Sequence, residues 1–141
     1  MSKPQVRTRI DFAPDCSIGP GKIGLLEGIE QTGSLSAAAR AMDMSYRRAW
    51  LLVHDTNEAF DQPVAELAVG GKEGGGARLT EFGRRLVADF RAFEGKVQQL
   101  ANERFSALRP TGRPARGQGL QQPLRREPAA TPRTRTTRKT G

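Results

Sequence analysis

Residues 34–60 read S-L-S-A-A-A-R-A-M-D-M-S-Y-R-R-A-W-L-L-V-H-D-T-N-E-A-F, and this stretch limits what the chain can fold into more than any other. Two helical runs flank a break at Asp43-Met44-Ser45. Leu35, Ala38, Ala39 and Met42 recur at the 3.6-residue period of a buried helix face, and the small alanines let a second helix approach closely. Ser45 is suited to cap the second run, because its hydroxyl can accept from a free backbone N–H of the first turn. Ala49, Val53 and Thr56 then form a narrow inward stripe, leaving Tyr46, Arg47, Trp50, Leu51 and His54 on other faces. A short helix, a tight turn and a helix led by polar and cationic residues is the layout of a helix-turn-helix. In that motif the second helix enters the major groove with its N-terminal residues. Asp43 stands where glycine is usual, and Asp visits the left-handed region more readily than most residues.

The flanks extend this reading. Residues 6–12, V-R-T-R-I-D-F, alternate like a half-buried strand, and 13–17 reads as a turn. Gly19-Pro20-Gly21-Lys22 leads into a helix whose buried face is Ile23, Leu25, Leu26 and Ile29, ending at Gly33. A phosphate-loop reading of G-P-G-K fails, since Cys16 stands where a further Gly is needed and Ile23 where Ser or Thr is needed. After the helix pair, Asp61-Gln62-Pro63 breaks the chain. Residues 64–69 read as a strand, 70–76 (G-G-K-E-G-G-G) as a loop and 77–80 as a returning strand. Read structurally, this is a flexible hairpin. Read functionally, it is a wing whose backbone N–H groups and Lys72, with Arg78 just inside, suit contact with phosphates. The order strand, three helices and hairpin favours the wing. The expected fold is therefore mainly α with a small β-hairpin wing, a winged helix-turn-helix.

A long helix is expected over residues 80–108, capped by Thr80. Leu86, Phe93 and Leu100 recur every seven residues, with Phe90 and Val97 as the second seam position. Two readings fit, a helix packed on its own domain or a dimerisation helix. A domain this small cannot readily cover so long an apolar face, and Phe82, Phe90 and Phe93 on one helix suit an interface, so we favour a homodimer. Residues 109–141 have no aromatic residue and are rich in Pro, Gly, Thr and Arg; they read as a disordered tail. The whole chain holds 23 Lys+Arg against 15 Asp+Glu. Nine of those cations and one acid, Glu127, lie in 109–141, leaving residues 1–108 with 14 of each. The basic character thus belongs to the tail, which is either an inert extension or a sequence-independent DNA tether acting through counterion release.

G-S-L-S-A-A-A-R-A-M, M-S-Y-R-R-A-W and above all G-G-K-E-G-G-G-A-R-L-T-E-F-G resemble the N-terminal domain of ModE-type molybdate-responsive transcription regulators, a winged helix-turn-helix related to that of LysR-type regulators. The resemblance covers roughly residues 6–108. It implies binding of double-stranded DNA as a dimer formed through the long helix after the wing. It also implies that Ser45, Tyr46, Arg47 and Arg48 face the groove and that Lys72 sits on the wing. Ser36, Arg40 and Arg78 complete the candidate DNA-contacting set; Phe82, Leu86, Phe90, Phe93, Val97 and Leu100 form the candidate dimerisation set. Of the paired arginines, Arg47 is expected to reach a base edge and Arg48 a phosphate or an acid of the domain, such as Glu30 or Asp43. Full-length members carry C-terminal oxyanion-binding domains that sense molybdate. In this sequence only the basic tail follows, so molybdate binding is not expected of this chain.

Other classes find little support. The lone His54 has Asp55 beside it, but adjacent helical residues do not face each other. Cys16 has no His partner nearby in sequence, and Glu27 and Glu30 read as a solvated helix face. We expect no enzyme activity, no cofactor and no metal site. No apolar run reaches membrane-spanning length, and no signal-peptide core is evident, so a soluble cytoplasmic protein with no membrane partner is expected. Two alternatives to an operator-binding regulator remain: a winged-helix protein-interaction module, and a nonspecific nucleic-acid binder acting through the tail.

Overall fold

The alternating N-terminal stretch folds as a hairpin rather than one long strand. Strand β1 (Ile10–Ala13) pairs antiparallel with β2 (Cys16–Ile18). Pro14 and the left-handed Asp15 (φ 62°) reverse the chain between them. Only the end of the expected strand finds a partner strand. Residues 3–9 instead run extended with alternate residues inward, held where Gln98 accepts from the Val6 N–H (2.9 Å) and donates to the Pro4 carbonyl (2.6 Å). The computed structural model describes residues 3–68 and 76–113. The chain divides into two units, Met1–Arg109 and Pro110–Gly141, and the fold below is that of the first.

Helix α1 (Pro20–Thr32) is the hub. Proline occupies its first turn and Gly33, at φ 67°, ends it, with the Gly33 N–H bonded to the Ile29 carbonyl at 2.8 Å. Its buried residues are Ile23, Leu25, Leu26 and Ile29, as the sequence predicts. They serve contacts with α2 (Leu35–Ala41), α3 (Tyr46–Ala59), α4 (Glu81–Phe105) and the wing. Each such side chain taken from water stabilises by about 1.5–3 kcal/mol. Lys22 donates to the Ser17 carbonyl at 2.8 Å, so the lysine of the G-P-G-K stretch closes the turn into α1.

The wing strands β3 (Ala65–Leu67) and β4 (Ala77–Leu79) pair antiparallel with Glu66 opposite Arg78. On its other side β4 is tied to the loop between α1 and α2, through a bridge from Gly76 to Ser34 and the Ala77 N–H to Gly33 carbonyl bond at 2.9 Å. The base of the wing is thus stitched to the start of the helix-turn-helix. Of the expected loop 70–76, all but Gly76 lies outside the described residues, Lys72 included, as does the tail from residue 114.

Thr80 joins the wing to α4. Its hydroxyl accepts from the Gly83 N–H (3.0 Å) as a helix cap and donates to the Pro63 carbonyl (2.6 Å), while its own N–H bonds the Val64 carbonyl (3.0 Å). Gly83 lies so close to this segment that a Cβ there would fall 1.9 Å from the Val64 carbonyl oxygen.

Helix α4 corrects the expectation of one continuous dimerisation seam. Phe90 is 2% exposed and belongs to the domain's own core, and Phe82, Leu86 and Val87 pack against that core. The Phe82 ring meets Phe60 edge-on at 5.7 Å. The reason is where the body lies: the first half of α4 rests on α1 and β4, so apolar residues there are already covered. Phe93 and Leu100, 46% and 50% exposed, are not. Among the described residues no helix is long and apolar enough to cross a membrane.

Gly83→Ala should destabilise the fold by about 3 kcal/mol or more, since the clash is with backbone that has little room to shift. Urea denaturation followed by circular dichroism reads this directly. An unchanged midpoint would show that α4 does not seat this closely on Val64.

Candidate nucleic-acid interface

The helix pair forms through local chemistry. Ser34 caps α2 by accepting from the Ala37 N–H (3.2 Å), and Ser45 caps α3 by accepting from the Arg48 N–H (3.2 Å). Between them Asp43 adopts φ 51°, the left-handed conformation the turn requires. The Met44 N–H returns to the Ala39 carbonyl at 3.0 Å and the Asp43 N–H to the Arg40 carbonyl at 3.1 Å. The α1–α2 crossing is close enough that a Cβ on Gly28 would sit 2.9 Å from that of Ala38.

The buried stripe of α3 is Ala49, Val53 and Thr56, as the sequence predicts; the Thr56 hydroxyl satisfies itself on the Leu52 carbonyl at 2.6 Å. Asn57, which sequence reasoning missed, fixes the far end of the helix. Its side-chain oxygen accepts from the Val64 and Ala65 N–H groups (2.8 and 3.2 Å), and its amide donates to the Ala65 carbonyl (3.0 Å). No periodicity marks such a residue, because its role lies in two backbone partners of a strand that begins after the helix. The orientation of α3 is therefore set at both ends.

The outward side of α3 carries Tyr46 (55% exposed), Arg47, Arg48, Trp50, Leu51 and His54, all exposed. The Trp50 and His54 rings stack at 4.9 Å with an 8° angle between planes. Arg40 is exposed in the last turn of α2, across the turn from Ser45. Ser36 is half-buried on α2. Arg78 forms a salt bridge with Glu66 at 2.8 Å, so its charge is already compensated by the strand opposite.

Clustering of three arginines around the turn, not total charge, makes the start of α3 cationic, since residues 1–108 are neutral as a whole. Arg9 pairs with Asp11, Arg84 with Glu30, and Arg91 with Glu27 and Glu94. The Arg91 guanidinium is consequently held further in its charged form by the hydrogen bonds to Glu27 and then Glu94. Arg40, Arg47 and Arg48 make no ion pair among the described residues. Arg48 thus does not take Glu30 or Asp43 as partner; Glu30 faces Arg84 at 4.0 Å. Arg47 and Arg48 also sit in the first turn of α3, which has no acid. Cations at a helix N-terminus oppose the helix dipole, at about 0.3–1 kcal/mol each near a surface. Helix stability does not explain them, whereas a polyanion laid against this end would.

The order of elements and the geometry of α2, α3 and the hairpin define a winged helix with a long helix after the wing. No family model matches the chain. The chain is 45% identical over 80 residues to the molybdenum-pterin-binding protein MopA of Rhodobacter capsulatus, covering 57% of this chain and 30% of that protein. It is 37% identical over 92 residues to the molybdenum transport protein ModE of Azotobacter vinelandii, covering 65% and 34%. With the DNA-binding transcriptional dual regulator ModE of Escherichia coli K12 it shares 41% over 68 residues, covering 48% and 26%. The homologues are thus ModE-type regulators and molybdenum-pterin-binding proteins, which bears out the resemblance read from the recognition-helix and wing motifs. The chain spans about a quarter to a third of the length of these curated relatives.

Proposed function

We propose that residues 1–108 form the sequence-specific DNA-binding domain of a transcriptional regulator that reads an inverted-repeat operator as a homodimer. The observation that carries this is the unpaired Arg47-Arg48 pair in the first turn of α3, beside the exposed Tyr46 and across the turn from Arg40. Similarity to regulators whose names state DNA binding supports it. The molybdenum in the names of other relatives is said of those longer proteins, of which this chain matches only a part.

The two arginines have different tasks. At about 100° per residue, Arg47 lies opposite the stripe of Ala49, Val53 and Thr56 and Arg48 lies on a flank. Arg47 reaches a guanine edge through its planar fork, and Arg48 a phosphate. Arg47→Ala should lose about 1–3 kcal/mol on the specific site and relax preference at one base pair per half-site. Arg48→Ala should weaken all sequences evenly. Selection from random oligonucleotides separates them: loss of a guanine in the Arg48 variant alone would reverse the roles. Wild-type binding by both variants would remove DNA from the helix-turn-helix.

The dimer forms through the face of the second half of α4 that its own domain leaves open. Phe93, Leu100 and Phe105 are about half exposed, and Val97 lies half-buried between the first two. Phe93→Glu with Leu100→Glu should give a monomer by sedimentation with unchanged helicity, because each charge would enter an apolar contact unpaired. Phe90→Glu should instead unfold the domain. A double variant that stays dimeric places the interface elsewhere.

The tail adds affinity without sequence preference. Removing residues 109–141 should lower affinity for all DNA by a similar factor and flatten its salt dependence, leaving the selected motif unchanged. A changed motif would mean that the tail contacts bases.

A further inference from the structure

The outward face of α3 holds a group that the arginine readout leaves unused. Leu51 is 42% exposed, three residues beyond Arg48 and four beyond Arg47, so it shares a helix ridge with Arg47. It is not part of the core. With Tyr46 and Trp50 it gives this helix three of the large apolar side chains exposed among the described residues. Leu51 also marks a boundary in charge. Before it stand Arg47 and Arg48; after it the same outward side carries Asp55 and Glu58, both exposed. Phosphates repel those acids, so the part of the helix that enters a groove ends near Leu51 and His54.

We propose that Leu51 is a specificity-determining residue that reads the 5-methyl group of a thymine in the major groove. This rests on the proposed operator binding and adds the base it selects. Leu51 has no donor or acceptor, and the thymine methyl is the one apolar feature that the major-groove base edges present. Four residues of helix rise about 6 Å, against 3.4 Å per base pair. The thymine therefore lies within about two base pairs of the guanine contacted by Arg47.

The test uses the full chain and the operator sequence obtained by selection, with each thymine near the guanine replaced in turn by deoxyuridine, which removes only the methyl. Wild type should lose about threefold to fivefold in affinity at one position per half-site. Leu51→Ala should bind the thymine operator correspondingly less well and be indifferent to deoxyuridine there. Leu51→Gln, which keeps the side-chain length, should behave as Leu51→Ala does. Thermal melts of both variants should match wild type, since Leu51 lies outside the core. Undiminished deoxyuridine sensitivity in either variant, or no sensitive thymine for wild type, overturns the assignment while leaving operator binding intact. Selection that enriches no motif overturns both.

Discussion

Val64 is the joint on which the arrangement depends. It is fully buried, so both of its backbone polar groups must find partners inside the protein; a buried orphan costs about 1–3 kcal/mol. Its N–H goes to Asn57 at the end of α3, and its carbonyl to the Thr80 N–H at the start of α4. One peptide segment thereby ties α3, the wing and α4 together. Gly83 is the residue that lets α4 come near enough. The caps at Ser45 and Thr80 then determine where each helix begins, and the tilt of α3 follows from packing on α1 and the clasp at Asn57.

Charge is organised by the same economy of partners. A neutral body cannot present a cationic face through its total charge; it does so through where its cations cluster. Glu27, Glu30, Glu66 and Glu94 are each matched to an arginine away from α3. Arg40, Arg47 and Arg48 stand together around the turn of the helix pair with no such partner among the described residues. These surface pairs add little stability, about 0–1 kcal/mol each. The opposition between Arg47-Arg48 and the α3 dipole fits a segment shaped by a partner rather than by its own stability.

Much of this was legible in the sequence because it is local. The buried faces of α1, α2 and α3 follow from periodicity, and the caps at Ser45 and Thr80 from residue type and position. In the A-R-L-T-E-F-G motif the returning strand and the Thr80 cap are readable in the same way, whereas the close approach that Gly83 permits shows only in the fold. What escaped was what depends on distant parts of the chain. The hairpin of β1 and β2 needed the left-handed Asp15, where no glycine announced it. Asn57 acts on backbone seven and eight residues away. The heptad of α4 looked uniform, yet a body covering one half divides it into core and open surface, which no pattern within the helix encodes.

That division bears on how the proposed dimer would hold its two recognition helices. Phe90 is anchored in the domain core, and Phe93 begins the open face one turn later on the same unbroken helix. Between and beyond them Arg91 grips Glu27 of α1, and Gln98 holds the N-terminal segment. Gly95 lies in this stretch with no atom near enough to require a glycine, and a glycine in a helix interior weakens it by about 1 kcal/mol relative to alanine. The flanking clamps offset that weakness by bracing the helix against the body on both sides of Gly95. An interface formed at Phe93 and Leu100 would therefore pass its geometry to α3 through α1 and Val64 with little slack. The separation of half-sites would then be a property of packed side chains, not of a linker.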